Sequence, residues 1–499
     1  MKTAVSWLGV RLAYAALLCL LLAPPGGCAA NASKTMHNAI SHRRPFAVAA
    51  LYERQSSPVA DRRYSFRASP TYVVMYNSPQ GEHSASQTQP EPLDVYSPPP
   101  AIRAKAIRYS RIQDELYFGG AALGLAIYAF LWLSGFGAWL RRLAECASSH
   151  LFIQSLVFAP VFWVTASVLG FPLDYYGDYV VERRFGLSTE SLGAWLGDWG
   201  KSLGLSVVAA VVAIWIFYSI VRRSPRRWWL YFWLATLPLA AFLMLIQPYV
   251  IDPLFHKFTP LAQTHPVLAE RVETMLHRAG VAIPESRIFE MNASSKTREL
   301  DAYVSGWGAS KRVVIWDTTL RKLTPDEVLT VVGHETGHYA LHHVTKIFAL
   351  DELIGLGGIF LGYLAVGFFV RRWGERTGVK GIGDLASLPL LLLILSAGTF
   401  LASPLFSGIS RHYEHQADQY GLELTYGIVH DPNAAMVGAF RVLGEIDLSN
   451  PDPNPFIKFW LYDHPPLADR IRFAAHYKPW AEGKPMQLLH PASSPAEEK

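Results

Sequence analysis

TPDEVLTVVGHETGHYALHHVTKIFALDELIGLGGIFLGYLAVGFFV, residues 324–370, holds a helix start, two histidines one turn apart and an apolar run long enough to cross a bilayer. Thr324 before Pro325, Asp326 and Glu327 reads as a helix N-terminus. The hydroxyl caps, the proline's fixed φ suits the first turn, and the acids favour the positive end of the helix dipole. The helix that starts there brings His334 and His338 onto one face, because four residues rotate an α-helix by about 400° and leave the pair about 40° apart. Two neutral imidazoles so placed can share a metal ion, and Glu335 beside them can take a proton from a metal-bound water. A few residues later, 347–370 is apolar enough to enter lipid. Metal chemistry and membrane therefore meet in one short stretch.

Further apolar runs lie at 116–140, 151–173, 203–221, 228–251 and 385–406. Each is about long enough for a helix to cross a hydrocarbon core of about 30 Å. Over the 499 residues 51% are hydrophobic and 17% charged, with a mean hydropathy of +0.17, which leans toward a membrane protein. The net charge of +5 comes as short clusters beside the apolar runs, such as Arg141-Arg142, Arg222-Arg223 and Arg371-Arg372. That placement suits lipid headgroups and argues against a nucleic-acid surface. The clusters fall in alternate loops, which assigns those loops to the cytoplasm and the His334 segment to the opposite face. Cys19, Cys28 and Cys146 lack metal spacing, so thiolate zinc is excluded and a disulfide framework is not expected.

Residues 1–30 combine a basic start, an apolar core and a small-residue end, and read as a signal peptide or anchor. Residues 31–108 are rich in Pro, Ser, Gln and Arg without a persistent period, and read as a disordered linker. A membrane domain with four spans is expected over 109–260, a peptidase domain with two further spans over 261–482, and a tail over 483–499. Within the second domain 265–280 reads as an amphipathic helix, and 287–291, 302–305 and 312–316 as short strands. Helices are expected over 407–426, near 433–445 and near 466–477.

A catalytic site needs a third ligand. His342 shares the helix face but lies two turns from His334. With His343 it reads as a polar residue at the membrane boundary. Glu414 in Ser410-Arg411-His412-Tyr413-Glu414-His415-Gln416-Ala417-Asp418 is the better candidate. Asp418, four residues on, can orient a ligand imidazole. The plainer alternative makes both acids part of a solvated helix face with Arg411.

Five separated segments then carry a resemblance. They are Glu182-Arg183-Arg184-Phe185-Gly186-Leu187-Ser188, the stretch 251–261 beginning Ile251-Asp252-Pro253-Leu254-Phe255, the His334 motif, the Ser410–Asp418 motif, and His464-Pro465-Pro466-Leu467 with Arg470. In this order the chain resembles the integral-membrane type I CAAX prenyl endopeptidases, a family of gluzincin zinc proteases, from about residue 105 onward. The resemblance implies that His334, His338 and Glu414 bind one Zn2+ per chain and that Glu335 activates water. It also implies that Asp418 is the acid-side carboxylate, often assigned as proton donor, and that His464 and Arg470 hold the substrate carbonyl and developing oxyanion. Residues 302–306 become an edge strand for an extended peptide. Asp301 departs from the asparagine usual there. Eukaryotic members face the catalytic domain to the cytosol, opposite to the charge pattern, so the side of the membrane stays open.

The expected fold is mainly α: a multi-pass helical membrane protein enclosing a chamber, with a small β-containing zinc-peptidase domain. The expected activity is that of a membrane zinc metalloendopeptidase on extended peptides or proteins, lipidated ones included. Membrane lipids are the other partner, with no nucleic acid; in a bacterium the location would be the inner membrane. The rival reading is a non-catalytic transporter or metal-binding scaffold, for which Asp351 and Glu352 at the start of an apolar run are the best support.

Overall fold

The computed structural model describes residues 93–306 and 310–489. The expected signal or anchor, and the expected linker up to residue 92, lie outside the described residues. The rest of that linker differs from expectation, because helix α1 spans Pro100–Leu133. Pro98-Pro99-Pro100 marks the helix entrance, with Pro100 in its first turn. The polar turns that follow are held by burying Ala106 and Tyr109.

The run 116–140 does not form one helix. It breaks at Ser134 and Gly135, and Gly135 takes a φ of 74° that a side chain would resist. Helix α2, Phe136–Ala147, then turns back. Helix α3 spans Leu151–Asp174 and continues through a π-helical stretch, Tyr175–Val181, that follows Pro172. Helices α4, Leu192–Arg223, and α5, Trp228–Ile246, complete this half. Buried Phe158, Phe162, Trp163, Ile214 and Tyr218 pack α3 and α4 together. Phe130, Val208, Leu361 and Leu401 are exposed, as residues facing lipid would be.

Among the described residues five helices are long and apolar enough to cross a membrane, or six if the bent pair Trp228–Leu243 and Gln247–Leu254 is one span. With the bent pair counted as one span they fall on the six expected runs, the first of which ends at Leu133 and not at residue 140. The last two are α8, His343–Thr377, and α9, Leu388–Thr425. Between α5 and α8 lies a small domain. Strand β1, Phe258–Pro260, precedes helix α6, Pro266–Arg278, strands β2, Ile288–Met291, β3, Ala302–Ser305, and β4, Arg312–Trp316, and helix α7, Pro325–Ala340. The sheet order is β1-β2-β4-β3. β2 pairs parallel to β4, and β3 pairs antiparallel to β4 with Tyr303 opposite Val314. β3 is thus an edge. Helices α10, Pro432–Ile446, α11, Pro455–Leu461, and α12, Leu467–His476, follow α9. One core joins Ile288, Val304, Val313, Leu329, Val332, Leu422, Phe440 and Ile471, so sheet, α7, α9, α10 and α12 bury one another.

Candidate metal centre

Helix α7 begins as its sequence dictates. Thr324 Oγ1 accepts from the Glu327 backbone N–H, and Glu327 Oε2 accepts from the Thr324 N–H at 2.7 Å, a closed capping box. The helix runs to Ala340 and stops where His342 adopts φ 56°, so α8 leaves in a new direction. Helix α9 crosses α7 with almost no space between the backbones. A Cβ on Gly421 would sit 2.9 Å from the His334 nitrogen, and one on Gly337 3.1 Å from the Tyr420 side chain. Glycine at these crossing points lets α9 bring its carboxylates up to the α7 histidines.

His334, His338 and Glu414 come together there, all buried. His334 Nε2 lies 3.2 Å from His338 Nε2 and 3.2 Å from Glu414 Oε2, and His338 Nε2 lies 3.7 Å from Glu414 Oε1. Four ligands at bonds of about 2.0–2.1 Å form a tetrahedron with edges of about 3.3–3.4 Å, so these three donors fit such an ion. Glu335 Oε1 is 3.9 Å from His334 Nε2, beside the cluster. Burial disfavours charge on His338 and holds it well below the usual histidine range, in the neutral state a ligand needs.

Asp418 does not join the cluster. It accepts from His334 Nδ1 at 2.8 Å, which leaves the Nε2 lone pair free to face the other donors. Arg470 from α12 grips the same carboxylate, Nε donating to Asp418 Oδ2 at 2.8 Å and Nη2 to Oδ1. His464 Nε2 lies 3.0 Å from Glu414 Oε2, and its Nδ1 donates to Asp463 at 2.8 Å. Burial alone would lower the His464 pKa, but the Glu414 and Asp463 carboxylates outweigh it and push it up to about 9.

All seven expected site residues thus lie in one buried constellation. Two neighbours went unread in the sequence. Asp463 orients His464 and is adjacent to it, so it could have been found. Gln416 meets His343 at 2.9 Å. His343 is not at a polar boundary as expected: it is buried, its ring 5.4 Å from that of His338. The edge strand reaches the site as well, since Tyr339 Oη donates to the Gly306 carbonyl at 2.7 Å and ties α7 to the end of β3.

The chain is similar to known proteins over most of its length. The model of the CAAX prenyl protease N-terminal region, with five membrane helices, matches residues 83–257, and that of peptidase family M48 matches 268–478. The chain belongs to peptidase family M48. An uncharacterized metalloprotease of Bacillus subtilis, YhfN, is 35% identical over 395 residues, covering 78% of this chain and 88% of its own. CAAX prenyl protease 1 of Saccharomyces cerevisiae is 27% identical over 334 residues, 64% of this chain and 71% of that protein. The crystal structure of S. mikatae Ste24p superposes with a TM-score of 0.64 at 25% identity, covering 75% and 88% of the two chains.

This M48 chain is therefore an integral, multi-pass membrane metalloprotease that acts on peptide or protein substrates and takes a metal cofactor. Its fold is the expected one, a helical membrane protein enclosing a chamber with a small β-containing peptidase domain. The transporter reading of Asp351 and Glu352 gives way to this family membership. Both acids are buried on α8.

Proposed function

We propose that the chain is a zinc metalloendopeptidase in which His334, His338 and Glu414 hold one Zn2+ and Glu335 is the general base. The observation that carries this reading is the convergence of three buried donors: His334 Nε2 lies 3.2 Å from His338 Nε2 and 3.2 Å from one Glu414 oxygen, and His338 Nε2 lies 3.7 Å from the other, which suits a three-ligand ion with an open fourth position. Two imidazoles and one carboxylate are donors that zinc accepts readily. A zinc bound there would polarise a carbonyl oxygen and lower the pKa of its water to about 7.

The chain's own residues supply the rest. Glu335, buried beside the ligands, takes the proton of the attacking water and passes it toward the leaving amine. Asp418 fixes the His334 tautomer, and Arg470 holds Asp418. Both of its carboxylate oxygens are engaged, so we read Asp418 as an orienting group and not as the proton donor. His464, held as a cation between Glu414 and Asp463, lends its charge to the developing oxyanion beside the metal ligands. Arg470 acts through Asp418, because its Nε and Nη2 are committed there. An extended peptide pairs with β3, whose outer edge leads to Gly306 and α7. We divide the chain into a membrane domain over 109–260 and a peptidase domain over 261–482, with α8 and α9 as spans of the latter. Membrane lipids are its surroundings, and lipidated peptides belong among the substrates to try.

Glu335→Gln tests the reading. Purified wild type should carry close to one zinc per chain and cleave an unstructured peptide in a chelator-sensitive way. The variant should keep its zinc and lose about 10²–10⁴-fold in kcat. Full cleavage by the variant would remove Glu335 from the mechanism, and stoichiometric zinc without cleavage by wild type would favour a scaffold.

A further inference from the structure

A second site lies away from the metal centre. A cavity of about 720 Å³ opens between α1, the loop after the π-helical stretch, the segments flanking β3 and β4, and the end of α10. It lies on the seam between the two family-matched regions: Ile102, Lys105 and Phe185 come from the first, Arg298, Lys322 and Ile446 from the second. Such junctions, at such volumes, are common places for small ligands.

The lining has two chemistries. Ile102, Phe185, Leu187, Ile446 and Leu448 make an apolar floor. Lys105, Arg298, Arg321 and Lys322 ring it, against one acid, Glu445. Arg321 is matched by Asp317 at 2.8 Å, whereas among the described residues Lys105, Arg298 and Lys322 have no ion-pair partner. Two of the unmatched cations converge. Gly186, held at φ 70°, has both Lys105 Nζ and Arg298 Nη1 at 3.9 Å from where a Cβ would sit. Two like charges within about 8 Å of each other repel unless an anion sits between them. The hydroxyls of Thr189, Thr297 and Thr318 already donate to the carbonyls of Ser294, Leu187 and Glu299, so recognition falls to the cations.

We infer that this cavity binds a single-chain amphiphilic anion, its carboxylate or phosphate head between Lys105 and Arg298 and its hydrocarbon part on the apolar floor. Lys105 precedes the apolar run of α1 by about three turns, about 16 Å beyond the hydrocarbon, too far for a lipid whose chains remain in the bilayer. The ligand is therefore a free amphiphile. By bridging the two halves of the chain, it stabilises their junction.

The test uses the full-length Glu335→Gln chain in phosphatidylcholine nanodiscs, so that cleavage does not intervene. The probe is a fatty acid bearing a photoreactive diazirine, with adducts mapped by peptide mass. Adducts are expected in the peptides carrying Ile102, Phe185–Leu187 and Ile446–Leu448. Excess unlabelled fatty acid or lysophosphatidate should displace the probe, the stronger competitor identifying the headgroup, while the fatty alcohol of equal length should not. The Lys105→Gln/Arg298→Gln variant should lose at least tenfold in labelling, and so should Ile102→Glu, which places a carboxylate on the floor; unchanged metal content in both shows that they fold. Equal competition by the alcohol, undiminished labelling of the double variant, or adducts confined to the spans would overturn the assignment. Displacement by an apolar peptide with a free C-terminus but not by fatty acid would overturn it too, and give the cavity to peptide ends.

Discussion

His464 is poised by its neighbours. Glu414 and Asp463 favour its cation despite burial, so the protonated, donating form prevails at neutral pH and is lost as pH rises through its pKa. A dication held by Glu414 pulls that value down from about 9. The alkaline limb of the kcat/KM profile should therefore fall no higher than about pH 9, and His464→Gln should flatten it; an unchanged limb in the variant would assign it elsewhere. His334, Glu335 and His338 were readable because their spacing is local, set by the helix turn. Glu414 was readable only as a better candidate than His342, since nothing in a linear pattern says which distant carboxylate an imidazole will meet. The Arg470–Asp418 pair was less legible still. Arg470 was expected to face the substrate, and only the packing of α12 against α9 shows its guanidinium committed to a carboxylate.

At the scale of elements, the crossing of α7 and α9 sets the distance between histidines and glutamate. Gly421→Ala would press a methyl to 2.9 Å from the His334 nitrogen and 3.1 Å from Met436 Cε. The helices must separate, at an overpacking cost of about 1–3 kcal/mol. The variant should unfold at lower temperature and release metal to a chelator faster than wild type; equal metal off-rates would mean that the crossing has slack. Periodicity placed α6, α10 and α12 to within a residue or two, and β3 and β4 at their observed bounds, while the capping signal at Thr324 fixed the start of α7. It missed β1, because Phe258-Thr259-Pro260 is too short to declare a period. It divided α9 at residue 406, where the apolar run ends although the helix continues to Thr425. Hydropathy marks where lipid stops and is silent on where a helix stops.

Across the whole molecule, the membrane half and the peptidase half are locked by buried charge. Arg312 on β4 pairs with Asp252 at the end of the bent fourth span, donates to the Pro248 carbonyl at 3.1 Å, and lies over the Phe258 ring. Removing one member strands the other in a dry seam. Arg312→Met should lower stability by about 3–5 kcal/mol in a thermal or denaturant melt, and Arg312→Met/Asp252→Leu should recover much of it. A double variant no better than the single would deny the pairing. The multi-pass architecture was legible from six apolar runs, but this lock was not, because its partners come from different halves of the chain.

Helix α9 is one rod of 38 residues, in which Leu401 faces outward and Glu414, some three to four turns on, faces inward. A bilayer too thin or too thick for the protein tips such rods. Any tilt of this one displaces the third ligand against two histidines anchored on another helix, so turnover becomes a gauge of membrane thickness. In phosphatidylcholine bilayers of graded acyl length, peptide cleavage should pass through a maximum and fall on either side, as the lever is drawn one way and then the other.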